Sequence, residues 1–322
     1  MRRRDLVGAA IATVVAGQSI AQEPGRTYRV GYLGSSVPNA PPQAAFVAAL
    51  RQLGFVEGEN LVIDRRGFGL KPEQFVQVAR DVAEAKPDLI VCGGPDAGRA
   101  AQQATKTIPL LINTDDMVGE GLVGSIAHPG GNTTGVSIHS PDLDGKRLEI
   151  LIELIPGTRR LAALGGSDTA NPQHYDLLRR AARARDLDLS IDTVASYGEI
   201  GPAIDRAKAA GAEGLNVLGS ALLFGNRKAI FERAAALRLP AIYQWQENAH
   251  EGGLAGYGPS IVRIYGDLMS RQAARILRGA NPANLPVEQP DKFELALNLQ
   301  AAKALGLAIP EAMIARADEI IE

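Results

Sequence analysis

The chain has 322 residues with 34 basic and 36 acidic side chains, a length that predicts two domains and a charge balance that argues against a nucleic-acid partner. Apolar residues make up 46% and charged residues 22%, which is the composition of a globular rather than a disordered protein. A single cysteine and 4 histidines without ligand spacing argue against an intramolecular disulfide and a metal site, and we expect no cofactor.

The N-terminal segment predicts export. Three arginines at residues 2–4 precede an uncharged stretch at residues 6–20, which is too short to cross a bilayer and ends in small residues that a signal peptidase reads. We expect a signal peptide at residues 1–21, cleaved near Ala21 after twin-arginine or general secretory export. No cysteine near this point could carry a lipid anchor. The mature chain is therefore expected to be a periplasmic monomer without membrane insertion.

From residue 28 onward, short β-branched runs alternate with Ala-rich segments of helical period. This pattern indicates an α/β fold, in which helices cover parallel sheets, here in two Rossmann-like lobes. The strands expected in the first lobe lie at residues 28–33, 61–63, 88–91, 110–113 and 134–138. Those expected in the second lobe lie at residues 160–164, 188–194, 214–218, 241–243 and 254–256.

Polar residues follow the strands of the first lobe, where parallel α/β sheets bind ligands near helix N-termini. We expect hydroxyl groups and free backbone N–H groups here to bind a carboxylate, and Asp115 to accept an ammonium group. A solvated loop acid is the alternative reading of Asp115. The candidate ligand-binding residues of this lobe are Ser35, Ser36, Gly94, Asp96, Asp115 and Ser137.

The second lobe repeats one unit of the first. Residues 88–116 and 214–247 each contain a strand, a turn of small residues, a helix and a strand that begins with proline and ends in polar residues. Two such polar ends imply a cleft between lobes. We expect Trp245 to stack on the ligand, with core packing as the alternative. The candidate residues here are Gly166, Ser167, Ser220, Tyr243, Trp245 and Glu247.

Glycine and proline mark three expected crossings between the lobes, near residues 139–141, 256–259 and 286–291. The first lobe is then expected to comprise residues 27–139 and about 258–287. The second comprises residues 140–257 and about 288–322. An apolar stripe that starts at Ile261 returns to the first lobe.

The sequence contains none of the common catalytic signatures. It has no GxSxG elbow, P-loop or HExxH motif, and the glycines at residues 93–98 lack the spacing of a dinucleotide fingerprint. Asp168 and His174 stand near Ser167, but sequence proximity does not make a triad. We therefore expect a protein that is not an enzyme.

Several blocks of the chain resemble one family, the ABC transporter substrate-binding proteins of the group that includes tryptophan- and phenylalanine-binding members. These blocks are LGFVEGEN at 53–60, HPGGNTTG at 128–135, GKRLE at 145–149, LPAIY at 239–243, GGLAGYGP at 252–259, LPVEQPDKFE at 285–294 and NLQAAKALG at 298–306. The resemblance covers nearly all of the expected mature chain. It implies a type I periplasmic-binding-protein fold, with two lobes joined by a three-stranded hinge.

The resemblance also implies a function. The protein would capture a small carboxylate-bearing solute, an amino acid or an aromatic acid, by closure of its lobes and deliver it to an ABC permease with its ATPase. A ligand-binding sensory module of a signalling system and a hydrolase on the same scaffold remain alternatives.

The chain differs from the family pattern at three places along the expected cleft. It has Gly165, Gly166 and Ser167 where members carry an aromatic residue and Asn-Pro. The chain also differs from the family pattern at residues 115–117 and at residues 219–220. The two glycines are expected to leave space for a bulkier or differently charged solute.

Overall fold

The computed structural model describes residues 25–138 and 140–322, so the expected signal peptide lies outside the described residues. The described strands form a five-stranded and a seven-stranded sheet with helices on their faces, which confirms the α/β fold class. The strands of the first sheet are β1 (Tyr28–Leu33), β2 (Leu61–Asp64), β3 (Leu89–Gly93), β4 (Leu110–Thr114) and β5 (Thr133–Ser137). Those of the second are β6 (Arg160–Gly166), β7 (Asp188–Val194), β8 (Gly214–Val217), β9 (Ala241–Tyr243), β10 (Ala255–Gly258), β11 (Glu294–Asn298) and β12 (Glu319–Ile321).

Both sheets are built on the same strand order. The first runs β2-β1-β3-β4-β5, and the second contains the equivalent order β7-β6-β8-β9-β10 followed by β11 and β12. In such an order the connections leave β1 and β3 on opposite faces, which opens a crevice at their carboxyl ends. The second sheet has the same kind of crevice between β6 and β8, so the fold provides two ligand-binding edges.

The described helices alternate with these strands. They are α1 (Pro41–Gln52), α2 (Phe75–Glu84), α3 (Pro95–Ala104), α4 (Ser140–Leu154), α5 (Pro172–Arg183), α6 (Tyr197–Ala209), α7 (Ala221–Gly225), α8 (Arg227–Ala236), α9 (Glu247–His250), α10 (Ile261–Arg263), α11 (Ser270–Leu277), α12 (Leu299–Leu305) and α13 (Glu311–Arg316). A π-helical stretch at Ile264–Met269 joins α10 to α11. Among the helices of the described residues, none is both long enough and apolar enough to cross a membrane.

Apolar side chains at helical spacing fix these helices onto the sheets. Phe46 and Leu50 bury one face of α1, and Phe75, Ala79 and Val82 bury one face of α2. The first strands are buried almost throughout, because helices cover both faces of a parallel sheet. The only cysteine of the chain, Cys92, lies fully buried in β3.

The chain passes between the two sheets three times. It leaves the first sheet after β5, returns after β10, and leaves again between Leu285 and β11. In between, the segment from Ile261 to Leu285 packs into the apolar core of the first sheet, beside α1. The third crossing pairs with β5, since Ser137 N donates to Glu288 O and Glu288 N donates to Gly135 O, each at 2.9 Å.

The second sheet is larger than the sequence predicts. Strands β11 and β12 were not expected, and β11 runs antiparallel to β10, with Leu297 opposite Ala255. The β12 strand has three residues, none of them fully buried, so its sequence lacks the apolar run that identifies an interior strand. We call the first sheet with its packed helices the first lobe and the second sheet with its helices the second lobe.

Candidate ligand-binding site

A cavity of about 50 Å³ lies where the carboxyl ends of the two sheets face each other. On the first-lobe side the lining includes Tyr32, Ser35, Ser36, Gln43, Gly93, Gly94, Asn113, Thr114, Asp115, Ile138, Ile261 and Tyr265. On the second-lobe side it includes Ser220, Ala221, Phe224, Gln244 and Trp245. We call this space the inner cavity. It has room for only a few water molecules, so a solute of amino-acid size enters it only with movement of the walls.

Aromatic side chains are enriched in the wall, where they supply four of the 19 lining residues, although aromatic residues are only 5% of the chain. Tyr32 stacks on Phe68, with ring centroids 4.0 Å apart, and the indole of Trp245 meets the Phe224 ring edge-on at 6.1 Å. Tyr265 lines the same cavity from the segment that returns to the first lobe. Such a concentration of rings favours a ligand with a flat apolar part.

A hydrogen-bonded cluster surrounds the hydroxyl group of Tyr32. Gln43 Nε2 donates to this hydroxyl at 3.1 Å, and the side chains of Ser36 and Tyr265 also bond to it. Burial raises the pKa of Tyr32 and these hydrogen bonds oppose the rise, so the phenol stays neutral. The cluster joins the end of β1 to α1 and to the returning helical segment, and it fixes one end of the inner cavity.

Three buried polar atoms that belong to the cavity wall have no hydrogen-bond partner among the described residues. They are Gln43 Oε1, Asn113 Oδ1 and Trp245 Nε1, two acceptors and one donor. Buried polar groups in folded proteins are nearly always paired, because an unpaired one loses its hydrogen bond to water without replacement. These atoms are therefore suited to a bound molecule that carries both donors and an acceptor.

Asp115 is the carboxylate of the inner cavity. It follows β4, is 8% exposed, and its Oδ1 accepts a hydrogen bond from Gln244 Nε2 of the second lobe. Nearby, Glu120 accepts hydrogen bonds from Thr114 Oγ1 at 2.6 Å and from the backbone N–H of Asp116 at 3.3 Å. Burial raises the pKa of Glu120 to about 8, and the negative charge of Asp115 adds to the rise. Glu120 is thus mostly protonated at neutral pH.

Around the cavity, glycines occupy three places where the described parts of the two lobes approach each other. A β-carbon added to Gly94 would lie 2.7 Å from the β-carbon of Ala221, and one added to Gly219 would lie 2.6 Å from Asp115 Oδ1. At the third point, a β-carbon on Gly225 would lie 3.3 Å from Ser35 Oγ. Glycine is thus the residue that allows the lobes to approach this closely.

The second-lobe wall is internally hydrogen-bonded. Asp168 accepts from Ser220 Oγ at 2.6 Å and from the backbone N–H of Ala221 at 2.8 Å, and so caps α7. Burial raises the pKa of Asp168, and the hydrogen bonds from Ser220 and α7 oppose the rise. These groups already satisfy one another, which leaves them little capacity for a ligand.

A buried arginine supports this wall from behind. Arg147 is fully buried, and its guanidinium donates to Asp144 Oδ1 at 2.6 Å, to Tyr257 O at 2.8 Å and to Gln244 O at 3.2 Å. The last two carbonyls belong to the ends of β10 and β9. One side chain therefore fixes the backbone from which Gln244 reaches Asp115, and its charge is paired, as burial requires.

A wider groove of about 520 Å³ opens from the inner cavity and shares Ser35, Gly94 and Ala221 with it. Its other walls include Lys71, Asp96 and Tyr197 at the rims of the two lobes. The groove is larger, yet it lacks the buried unpartnered atoms of the inner cavity. Within the described residues no cluster of histidine, cysteine or acidic side chains is arranged to hold a metal ion.

The structure brings together half of the residues that the sequence analysis selected. The candidates that line the inner cavity are Ser35, Ser36, Gly94, Asp115, Ser220 and Trp245. Asp96 lines the groove and pairs with Arg99 at 3.0 Å, and Ser167 is exposed. Tyr243 packs edge-on against Phe231 at 4.8 Å.

The remaining candidates have structural contacts elsewhere. Ser137 accepts a hydrogen bond from Met117 N at 3.2 Å. Gly166 lies beside Ser220, and Glu247 Oε1 accepts from Ser260 Oγ at 2.6 Å, next to the second crossing.

Two expectations about this cleft are wrong. The backbone N–H of Gly94 is not free, because it donates to Asn113 O at 2.9 Å, and the next residue is a proline without an N–H. Gly165 and Gly166 do not leave space for a bulkier solute either. A β-carbon at Gly165 would lie 2.2 Å from the hydroxyl of Tyr175, and one at Gly166 would lie 2.1 Å from Ser220 Oγ, so the chain itself fills this volume.

Several lining residues were not selected from the sequence. Gln43 could have been recognised from the sequence, because it is a polar residue at a position of the buried face of α1, three residues before Phe46 and seven before Leu50. Asn113 and Gln244 stand next to selected residues at the strand ends. Tyr265 was not selected although the stripe that starts at Ile261 was expected to return to the first lobe, because the helical period does not show which of its side chains reaches the cavity.

Comparisons with known proteins agree with this architecture. A family model described as ABC transporter substrate binding protein matches residues 43–321. The chain is 25% identical over 264 residues to a tyrosine-binding protein of Clostridioides difficile (strain R20291), a match that covers 81% of this chain and 75% of that protein.

Two solved structures share the fold. A conserved domain protein of Vibrio cholerae O1 biovar El Tor strain N16961 superposes with a TM-score of 0.82 and 26% identity, over 92% of this chain and 99% of its own. An ABC domain from Streptococcus pneumoniae in complex with L-Trp superposes with a TM-score of 0.80 and 22% identity, over 92% of this chain and 100% of its own.

Proposed function

Because the chain belongs to the family of ABC transporter substrate-binding proteins, we propose that it captures an amino acid with an aromatic side chain between its two lobes. The observation that carries this proposal is the inner cavity, in which aromatic walls surround the Asp115 carboxylate and buried polar atoms without partners. An amino acid with an aromatic ring carries an ammonium group for the acceptors, a carboxylate for the donor and a flat apolar part for the aromatic walls.

The ligand's ammonium group would bind Asp115 and Asn113 Oδ1, which are acceptors at the end of one strand. Its carboxylate would accept hydrogen bonds from Trp245 Nε1 and from the hydroxyl group of Ser35. Its ring would lie among Tyr32, Phe224 and the other aromatic walls. The relation to a tyrosine-binding protein at 25% identity supports an amino acid of this kind.

The lobes are proposed to consist of residues 27–139 with about 258–287, and residues 140–257 with about 288–322. Ligand capture would proceed by rotation about the three crossings, which is the usual way in which two rigid lobes close on a solute. The glycine contacts between the lobes support a closed form as the bound state.

The wider role proposed is that of the solute receptor of an ABC importer, located in the periplasm after removal of residues 1–21, which delivers its ligand to a permease and ATPase without chemical change. N-terminal sequencing of the exported protein would test the location, with Gln22 as the expected first residue.

Calorimetric titration with the 20 amino acids and with aromatic acids that lack an amino group tests the ligand. We expect binding by one or more aromatic amino acids and none by the acids that lack the ammonium group. A ligand at a hundredfold excess over its Kd should raise the free energy of unfolding by about 2.7 kcal/mol, visible as a higher melting temperature. Binding of nucleotides in place of amino acids would refute the proposal, and mass spectrometry that showed a converted ligand would indicate an enzyme.

A further inference from the structure

Gln43 presents a hydrogen-bond acceptor that nothing in the described chain uses. The residue is 4% exposed, on the face of α1 that also buries Phe46 and Leu50. Its Nε2 donates to the hydroxyl of Tyr32 at 3.1 Å, whereas its Oε1 has no partner among the described residues. Burial of an unpaired carbonyl oxygen opposes folding, and an apolar side chain at this position would avoid the cost.

The surroundings of Gln43 make a donor from the ligand's own side chain the natural partner. Besides the inner cavity, Gln43 lines a second, smaller cavity of about 20 Å³ whose walls include Phe46, Phe68 and Tyr265. This end of the site therefore combines aromatic rings with the buried hydrogen-bonded cluster around the Tyr32 hydroxyl. A hydrogen bond that a ligand fails to make here would not be replaced readily by one to water.

Gln43 and the proposed ammonium site belong to different elements of the first lobe. Gln43 lies on α1 and bonds to the Tyr32 hydroxyl, which reaches the end of β3, where a β-carbon on Gly93 would lie 3.1 Å from it. Asn113 and Asp115 belong to the end of β4, the next strand of the sheet. An aromatic amino acid can contact both places, with its backbone at Asp115 and its ring tip at Gln43.

We infer that Gln43 is a specificity-determining residue that accepts a hydrogen bond from the tip of the ligand's ring. The inference rests on the proposed function, because it takes the ligand to be an aromatic amino acid. Gln43 then selects rings that carry a donor, the phenol O–H of tyrosine or the indole N–H of tryptophan, over phenylalanine. Sites built to bond a polar group reject an analogue that lacks it, since the analogue leaves the protein's own polar group unpaired.

Titration of the unmodified protein with tyrosine, tryptophan and phenylalanine tests the inference. We expect at least one of the two donor-bearing amino acids to bind about 10- to 100-fold more tightly than phenylalanine. The Gln43→Leu variant should bind that ligand and phenylalanine within about threefold of each other, mainly because the donor-bearing ligand binds more weakly. Gln52→Leu is the matched control, since Gln52 is exposed at the end of the same helix, and it should keep the original ratio.

Gln43→Met provides a second variant that keeps the length of the side chain. The affinity ratio between the donor-bearing amino acid and phenylalanine is also measured on the unmodified protein, so that result does not depend on the folding of either variant. Equal affinities for all three amino acids in the unmodified protein would overturn the inference while leaving the proposed function intact. A ratio that survives in both folded Gln43 variants would overturn it as well. If no aromatic amino acid binds at all, the proposed function fails, and the inference fails with it.

Discussion

The two walls of the inner cavity differ in how far their polar groups are already used. On the first-lobe wall, Gln43 and Asn113 keep unpartnered acceptors. On the second-lobe wall, Ser220 and Asp168 bond to each other, and Trp245 Nε1 is the unpartnered group of that wall among the described residues. The first wall is thus suited to recognise a ligand, and the second is suited to cover it. A solute should meet the first lobe before the second closes over it.

The strongest test of this division is the Asp115→Asn substitution on the first wall. It keeps the shape of the side chain and removes the charge proposed to bind the ligand's ammonium group. Loss of one member of a buried charge pair typically costs about 2–5 kcal/mol, so affinity for the amino acid should fall about 30-fold or more. Calorimetric titration measures the change.

Asp116→Asn is the control for that substitution, because Asp116 lies outside the lining of the inner cavity and accepts from the backbone N–H of Gly119. It should leave the affinity within about threefold. Equal losses from the two variants would mean that Asp115 acts only through the general negative charge of the region.

Trp245→Ala tests the second wall and should have a smaller effect. If Trp245 covers a ligand that is already bound, its removal should speed dissociation and leave the association rate nearly unchanged. A buried aromatic anchor is worth about 1–3 kcal/mol, which corresponds to a dissociation rate roughly 5- to 150-fold faster. Stopped-flow kinetics separates the two rates.

The matched control is Tyr243→Phe, which changes a buried aromatic residue of the same lobe that lies outside the inner cavity. It should alter neither rate. A slower association with Trp245→Ala would contradict the order of events, since it would place Trp245 in the first encounter.

Gly225→Leu tests the closure itself and should cost about tenfold in affinity. Gly225 faces Ser35 across the cleft and has no positive φ, so a side chain here would separate the lobes without straining its own backbone. Small-angle scattering should show less compaction on addition of ligand than in the unmodified protein. Gly201→Leu is the control, because no described atom apart from the backbone of its own helix and its chain neighbours lies within 4 Å of the position that a β-carbon would take there.

A further expected effect, on stability rather than on affinity, concerns Glu120, next to the first wall. Its pKa is about 8 in the folded protein against an ordinary value of 4.5, so between these pH values the folded chain holds a proton that the unfolded chain has lost. Its contribution to the free energy of unfolding therefore decreases as the pH rises from about 4.5 to 8. Glu120→Gln should remove this dependence. The change that the substitution makes to the free energy of unfolding should be about 1–3 kcal/mol more favourable at pH 8 than at pH 5.

Thermal unfolding of the unmodified protein and of Glu120→Gln at both pH values checks this expectation. The exposed Glu84 on α2 offers the control Glu84→Gln, which should change stability equally at pH 5 and pH 8. A Glu120→Gln difference that does not change with pH would show that the carboxyl group is ionised in the folded chain.

The sequence predicts the parts of this site that depend on strand ends. Ser35, Asp115 and Trp245 were found because strand periodicity locates where each strand stops, and the ends of parallel strands share one edge. The apolar run of β12 is too short to be recognised as a strand from the sequence. The β11 strand was not predicted, although Leu295 and Leu297 alternate along it.

Contacts made by helices from the side could not be predicted in the same way. The return of the chain to the first lobe after β10 was expected, but the apolar stripe does not show that Tyr265 is the side chain that reaches the cavity. Glu247 turns away because α9 begins there and brings it to Ser260. Gly165 and Gly166 mislead for a related reason. Whether a glycine leaves a space depends on which side chain packs against it, and here the hydroxyl of Tyr175 occupies the position.

The buried position of Cys92 makes its thiol a reporter of unfolding of the first sheet. Burial raises the pKa of this thiol, so little of the reactive thiolate forms in the folded state, and the sulfur is out of reach of reagents in the middle of the first sheet. Rotation of the lobes does not separate β3 from its neighbours β1 and β4. A thiol-specific label should therefore react only when the first sheet itself comes apart, so its rate would report unfolding of the first lobe separately from any closure of the lobes around a ligand.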